Sequence, residues 1–281
     1  MPIVNEPRLL TFGSWIFRLR PSLEEPERLM VLLHGWTGDE NSMWIFTRDL
    51  PREYTLLAPR APTAVPEGGY SWREMGPAAW GFPSMRDLQP AVDSLLSFLD
   101  DWSTSMGKGL TTFDLMGFSQ GAALACALAL FHPDRVRGMA VLSGFLPLEA
   151  EKLLALRPLA GRRVFVSHGA QDDRIPVERA RSAVKLLEAS GAQVTYCESQ
   201  TGHKVDRDCL KAMAAFFREH YYYGAMLVFL ADFSAIFSLI PNPSPEGGGR
   251  VRARVKKDWS GGIDRLCAVR LGIDPYAGHR V

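Results

Sequence analysis

An excess of charge of either sign is missing from this chain of 281 residues: 32 Lys+Arg stand against 31 Asp+Glu, a net charge of +1. Binding to phosphate backbones needs a basic stripe, so nucleic acid is not an expected partner. Cysteine is scarce: Cys126, Cys197, Cys209 and Cys267 are all there are. They form no C-x-x-C pair and no zinc-like spacing with the histidines. Four in a chain of this length do not make a disulfide scaffold. We read them as reduced thiols, with Cys126 buried on an Ala/Leu-rich helix. Long apolar runs are lacking too. The one membrane candidate, Ala225 to Ile240, carries a charge at Asp232 and is shorter than the ~20 residues a spanning helix needs. Met1 to Leu10 shows no apolar signal-peptide region. The expectation is a cytoplasmic protein with a core of ordinary globular composition.

Charge is unevenly distributed. The first 220 residues carry 24 basic and 26 acidic side chains, and the last 61 carry 8 and 5. We therefore divide the chain into a domain over 1–220 and an extension over 221–281. The extension contains the apolar run, a Pro/Gly-rich linker from Pro241 to Gly249 and a basic stretch from Arg250 to Lys257. It fits three readings: a helix packed on the domain or a partner, a segment without settled structure, or an anchor at an anionic membrane.

Through residue 220, short apolar runs alternate with helical patterns. Ser14–Leu19, Arg28–Leu33, Tyr54–Ala58, Phe113–Met116, Gly138–Leu142, Arg163–Ser167 and Val194–Cys197 read as strands. Near-continuous apolar runs of this length suit parallel strands covered on both faces. Asp87–Trp102, Gln120–Phe131, Val177–Ala189 and Lys204–Arg218 read as helices. The alternation gives an α/β fold with a mainly parallel central sheet and helices on both faces. In such sheets the functional groups gather at the carboxyl ends of the strands.

The loops after the strands carry the chemistry. Gly117-Phe118-Ser119-Gln120-Gly121 follows a strand and opens a helix, the context in which G-x-S-x-G becomes a nucleophile elbow. A serine on so sharp a turn needs neighbours without Cβ atoms. The helix N-terminus behind it favours the negative charge that develops in acyl transfer. The backbone N–H of Gln120 is one oxyanion donor, and that of Trp36, in Leu33-His34-Gly35-Trp36-Thr37-Gly38, is the second. Among six histidines, His203 lies after the last strand and before a helix, where it can reach Ser119 as general base. Loop 167–176 offers the acid as one of two adjacent aspartates, Asp172 or Asp173. Asp114 precedes the serine on its own strand and is poorly placed for that role.

Together these segments resemble the phospholipase/carboxylesterase family of α/β-hydrolases, which includes acyl-protein thioesterases. Gly117–Gly121, Leu142-Ser143-Gly144-Phe145-Leu146-Pro147, His168-Gly169 through Pro176, and Gly202-His203 carry the resemblance, over roughly residues 10–220. The family's H-G-x-x-D-x-x-x-P pattern places the acid on Asp172. The resemblance implies a single-domain hydrolase without a cofactor, acting on a small-molecule ester or acyl thioester. Trp36 departs from the family pattern, in which a smaller aliphatic residue is common at that loop position, and a narrower pocket is the expected consequence. Large apolar side chains near the strand ends, Trp72, Trp80, Phe145 and Leu146, are candidate pocket residues. The reading is a serine esterase, with thioesterase or lysophospholipase action by the same residues as the alternative. A non-catalytic binding protein is the rival from another class.

Overall fold

The computed structural model describes residues 6–24, 27–74 and 81–218. The chain divides into two units, Met1–Ala231 and Asp232–Val281, and every described residue belongs to the first. Trp80 and the whole extension from 221 onward lie outside the described residues.

Eight strands form one sheet. In chain order they are β1 (Arg8–Phe12), β2 (Trp15–Arg20), β3 (Arg28–Leu33), β4 (Tyr54–Pro59), β7 (Phe113–Phe118), β8 (Val136–Leu142), β9 (Arg163–Gly169) and β10 (Gln193–Ser199). The pair β5 (Thr63–Ala64) and β6 (Tyr70–Ser71) makes a small separate ribbon. The order across the large sheet is β1-β2-β4-β3-β7-β8-β9-β10. From β4 to β10 every pairing is parallel, while β1–β2 and β2–β4 are antiparallel. All seven strands expected from the sequence are present. β1 is the addition: Arg8 to Thr11 are exposed, so its sequence carries no core signal.

Strand β3 shows how the two faces are filled. All six of its residues are buried. Leu29, Val31 and Leu33 join the core shared with α1 (Met85–Ser105), α2 (Gln120–Phe131), α3 (Ala150–Leu154) and α4 (Val177–Ala189). Met30 and Leu32 point the other way, to Met213, Phe216 and Phe217 of the helix over 207–218, α5. The period of two thus supplies two cores, and from Leu29 to Leu33 a strand covered on both sides is wholly apolar, with Arg28 at its amino end as the one charged residue. Helix α1 is amphipathic and opens on a capping box, in which the Ser84 hydroxyl accepts from the Asp87 N–H and the Asp87 carboxylate accepts from the Ser84 N–H. Helix α5 starts three residues later than its sequence pattern suggests, because Val205 and Asp206 belong to the turn and the Asp206 carboxylate accepts from the Cys209 N–H.

Buried charge is concentrated at the amino-terminal end of the central strands. Asp114 is fully buried; its Oδ2 accepts from Arg28 Nη2 at 2.7 Å and from the Tyr54 hydroxyl at 2.9 Å. Arg137 Nε lies 3.6 Å from the same oxygen. Burial, and then the Asp114 charge, push the Tyr54 hydroxyl well above its usual pKa. Asp114 therefore sits at the opposite end of β7 from Ser119 and ties β3, β4, β7 and β8 together.

The structure corrects the expectation for the cysteines. Cys197 of β10 and Cys209 of α5 are joined in a disulfide, while Cys126 is a buried free thiol and Cys267 lies outside the described residues. The two bonded cysteines are 12 positions apart, a spacing that has no sequence signature; only the fold brings strand and helix together. The bridge also removes the cysteine argument for a reducing compartment. Among the described residues no helix is long and apolar enough to cross a membrane.

Two outcomes are expected. Asp114→Ala strands Arg28 and Arg137 and should cost roughly 3–5 kcal/mol in urea unfolding; a loss below 1 kcal/mol would contradict the clamp described. Replacing Cys197 and Cys209 together by serine should lower stability by about 2–4 kcal/mol, read as a lower Tm in calorimetry. Adding a reductant to the wild type should reproduce that loss.

Candidate active site

Strands β3 and β7 are neighbours from which the sheet is built outward in both directions, so their carboxyl ends define its topological switch point. The loop after β3 and the corner after β7 meet there. Leu33 pairs with Gly117 as the last step of that register.

The β7–α2 corner places Ser119 at φ 54° and ψ −115°. Such a backbone is strained for a residue with a side chain, by about 1–3 kcal/mol, and persists only if its surroundings hold it. The Ser119 N–H donates to the Leu142 carbonyl at 2.9 Å, and the Ser119 carbonyl accepts from the N–H groups of Ala122 and Ala123. The flanking glycines allow the approach. A Cβ on Gly117 would stand 2.3 Å from the Gly121 carbonyl oxygen, and a Cβ on Gly121 would stand 2.1 Å from that of Leu33.

Loops 169–176 and 199–206 deliver the acid and the histidine. They are laced by backbone: Ala170 N–H donates to Ser199 O at 2.7 Å, and Gln171 N–H to Thr201 O at 2.9 Å. The disulfide spans the second loop. His203 Nδ1 lies 2.7 Å from Asp172 Oδ2, and its Nε2 lies 3.1 Å from Ser119 Oγ. Ser119, His203 and Asp172 are thus one hydrogen-bonded chain. Asp173 is exposed, while Asp172 is buried.

Burial pushes the Asp172 carboxyl up, but three contacts outweigh it. The Ile175 N–H, the His203 ring and the Arg174 N–H together hold it below the usual carboxylate range. His168, which the sequence marks only as a strand end, is a further brace: its Nε2 donates to the Ile175 carbonyl at 2.8 Å and lies 3.4 Å from Asp172 Oδ2. His34 is also structural. Its Nε2 accepts from the Ala61 N–H at 3.0 Å, so Nδ1 carries the proton and donates to the Gly35 carbonyl at 2.7 Å. Burial lowers its pKa and keeps the ring neutral.

A cavity of about 320 Å³ opens at Ser119 and is lined by Trp36, Arg73, Gly81, Phe82, Pro83, Gln120, Phe145, Arg174 and Ile175. Of the expected pocket residues, Phe145 is in place. Leu146 lines a neighbouring cavity over α4. Trp72 is a correction: it is buried in the core, its Nε1 donates to the His34 carbonyl at 2.8 Å, and it does not line the cavity at Ser119. Trp80 lies outside the described residues. The Gln120 side chain turns away from the cavity, accepting from the Trp72 N–H and donating to Ser71 Oγ, both at 3.0 Å. Arg73 and Arg174 were missed, since single arginines in loops carry no pattern. Among the described residues no group of three or more His, Cys, Asp or Glu is arranged to hold a metal ion.

A mainly parallel sheet flanked by helices, with a strained serine corner at its switch point, defines an α/β-hydrolase. Residues 17–221 match the Phospholipase/Carboxylesterase family, and the chain belongs to it. A probable inactive carboxylesterase of Oryza sativa subsp. japonica is 30% identical over 195 residues, spanning 64% of this chain and 79% of that protein. An acyl-protein thioesterase 1 of Kluyveromyces lactis is 28% identical over 183 residues, spanning 59% and 79%. Among solved structures, that of esterase PE8 is 28% identical with a TM-score of 0.62, covering 72% of this chain and 96% of that one.

The depressed Asp172 pKa has a stability consequence with a definite sign. A carboxyl with a lowered folded-state pKa stabilises the fold above its unfolded-state value, and that stabilisation is lost as pH falls through the folded value. The deficit of Asp172→Asn in urea unfolding should be full at pH 7 and shrink progressively below about pH 4. A deficit that grows on acidification would contradict the contacts described.

Proposed function

We propose that this chain is a serine hydrolase that cleaves carboxylic esters through an acyl-enzyme intermediate. The observation that carries the reading is the chain from Ser119 Oγ through His203, at 3.1 Å, to Asp172, at 2.7 Å. In this reading Ser119 Oγ attacks the ester carbonyl carbon and passes its proton to His203 Nε2. Asp172 fixes the Nδ1–H tautomer and stabilises the imidazolium. The backbone N–H groups of Trp36 and Gln120 donate to the oxyanion of the tetrahedral intermediate. As the carbon–oxygen bond to the alcohol breaks, His203 returns the proton to the leaving oxygen. Water then attacks the acyl-enzyme, gives its proton to His203, and the carboxylic acid departs as Ser119 is reprotonated.

The activity is assigned to residues 1–220, which hold every residue given a role. The rice relative is named inactive, but that name speaks for that protein; here serine, histidine and acid are all present and mutually bonded. The same residues would cleave an acyl thioester, the chemistry named for the Kluyveromyces relative. A cavity of about 320 Å³ is at the small end of ligand sites and favours short acyl groups over long chains.

The wild type should be labelled by a fluorophosphonate probe and should hydrolyse 4-nitrophenyl acetate. Ser119→Ala should lose the label and lower kcat by about 10⁴ or more with circular dichroism unchanged. An unlabelled wild type, or a Ser119→Ala variant with full turnover, would overturn the reading.

A further inference from the structure

The cavity at Ser119 has an electrostatic character that ester hydrolysis alone does not require. Two of its lining residues, Arg73 and Arg174, carry guanidinium groups, and none of its lining residues is acidic. The remaining walls, apart from Ser119 and Gln120, are Trp36, Gly81, Phe82, Pro83, Phe145 and Ile175. Asp172 has its oxygens taken by the N–H groups of Arg174 and Ile175 and by His203, and the carboxylates adjacent to the arginines in sequence, Asp173 and Glu74, are exposed and line no part of this cavity. Asp87 feels the field of Arg73, but its carboxylate is engaged at the start of α1.

Both arginines stand on backbone fixed to the residues of the hydrogen-bonded chain or their neighbours. The Arg174 N–H donates to Asp172 Oδ1 at 2.9 Å. The Arg73 N–H donates to Ser71 Oγ at 3.3 Å, and Gln120 Nε2 donates to that same oxygen at 3.0 Å. Arg73 Nη2 further donates to the carbonyl of Gly81, another wall of the cavity, at 2.8 Å. One cationic residue is thus tied to the acid loop and the other to the first residue after the nucleophile. Arg174 makes no ion pair among the described residues. The exposed Arg174 guanidinium beside an apolar cavity is matched to a carboxylate, which it can engage with two parallel hydrogen bonds.

We propose that the substrate is a small ester bearing a second, ionised carboxylate, and that Arg174 is the specificity-determining residue that receives it, with the fixed charge of Arg73 on the same cavity wall adding to the attraction. The proposal rests on Ser119 being the nucleophile. The carboxylate belongs to either half of the ester. On the acyl side the substrate is a half-ester of a short dicarboxylic acid; on the alcohol side it is an ester of a hydroxy acid. In both, one end is held by charge while the ester carbonyl lies over Ser119. Water replaces the alcohol on the carbonyl carbon, and the second carboxylate takes no part in bond making.

Two matched pairs separate the sources. Mono-4-nitrophenyl adipate against 4-nitrophenyl methyl adipate tests the acyl side. Acetoxybenzoate against its methyl ester, with the acetoxy group para, tests the alcohol side. Rates are taken above the spontaneous background. The wild type should prefer the charged member of one pair by about tenfold or more in kcat/KM, chiefly through KM. The preference should weaken as salt is raised. Arg174→Gln should reduce the charged-to-neutral ratio, Arg174→Lys should restore part of it, and Arg174→Glu should invert it. Because Arg73 also braces Gly81, Arg73→Gln is read only if its circular dichroism matches the wild type; Arg174 carries the test otherwise. Neutral esters turned over as well as charged ones in both pairs, or an Arg174→Gln variant with an undiminished ratio, would overturn the proposal and leave the esterase reading intact. Failure on all four esters together with no fluorophosphonate labelling would instead remove the nucleophile and, with it, the proposal.

Discussion

The site depends on how closely two turns of chain approach at the carboxyl ends of β3 and β7. A single methyl group on Gly121 would overlap the carbonyl of Leu33, and one on Gly117 would overlap that of Gly121. Because neither is there, the end of β3 and the first turn of α2 touch backbone to backbone. That contact aligns Trp36 and Gln120 beside Ser119 and makes room for the strained serine. Every other part of the site is attached to this joint. His34 stitches the β3 loop to Ala61, Trp72 bonds to the His34 carbonyl, and Gln120 reaches across to Ser71 and Trp72. The polar groups around the joint therefore pin loops more than they face the cavity, which is why buried residues of catalytic type such as His34 and His168 have structural roles.

Most of the parallel sheet was legible in the sequence because strands covered on both faces are apolar along most of their length. β3 and β4 show this, being buried throughout, with their polar residues Arg28, Tyr54 and Thr55 confined to the amino ends. β1 was not legible, since an edge strand exposed on four of its five residues is held by pairing to β2 and not by burial. Ser119 and His203 were legible from position alone: one on a glycine-flanked strand–helix corner, the other on the loop after the last strand. The choice of Asp172 over Asp173 came from a resemblance in spacing, and the geometry behind it is a turn in which the first aspartate faces inward to two N–H groups and the second faces water.

The sequence could not say which tryptophan lines the cavity at Ser119. Trp72 and Trp36 are both loop residues of the same type, and only the tertiary packing buries the first away from that cavity and leaves the second about a third exposed on its wall. The Cys197–Cys209 bridge was hidden for a related reason: twelve residues of separation mean nothing until β10 and α5 are set side by side. The two arginines of the cavity are the same case again, because convergence of loops 73 and 174 is a property of the fold and not of either loop.

Helix α2 is buried on every side through Leu130. An amphipathic helix can dock by one face while the other stays in water, but a helix with no solvent face is complete only when sheet, α1 and α3 have all closed over it. Its amide protons then reach solvent only by opening of the whole domain. Ser119 caps that helix. The serine is thereby attached to a helix buried through Leu130, while its partner histidine rides on a loop spanned by a covalent bridge. The two partners of the Ser119–His203 hydrogen bond thus draw their rigidity from different sources, one cooperative and one covalent, and loss of either would be seen as a distinct kind of failure: collapse of the fold in the first case, loosened alignment within an intact fold in the second.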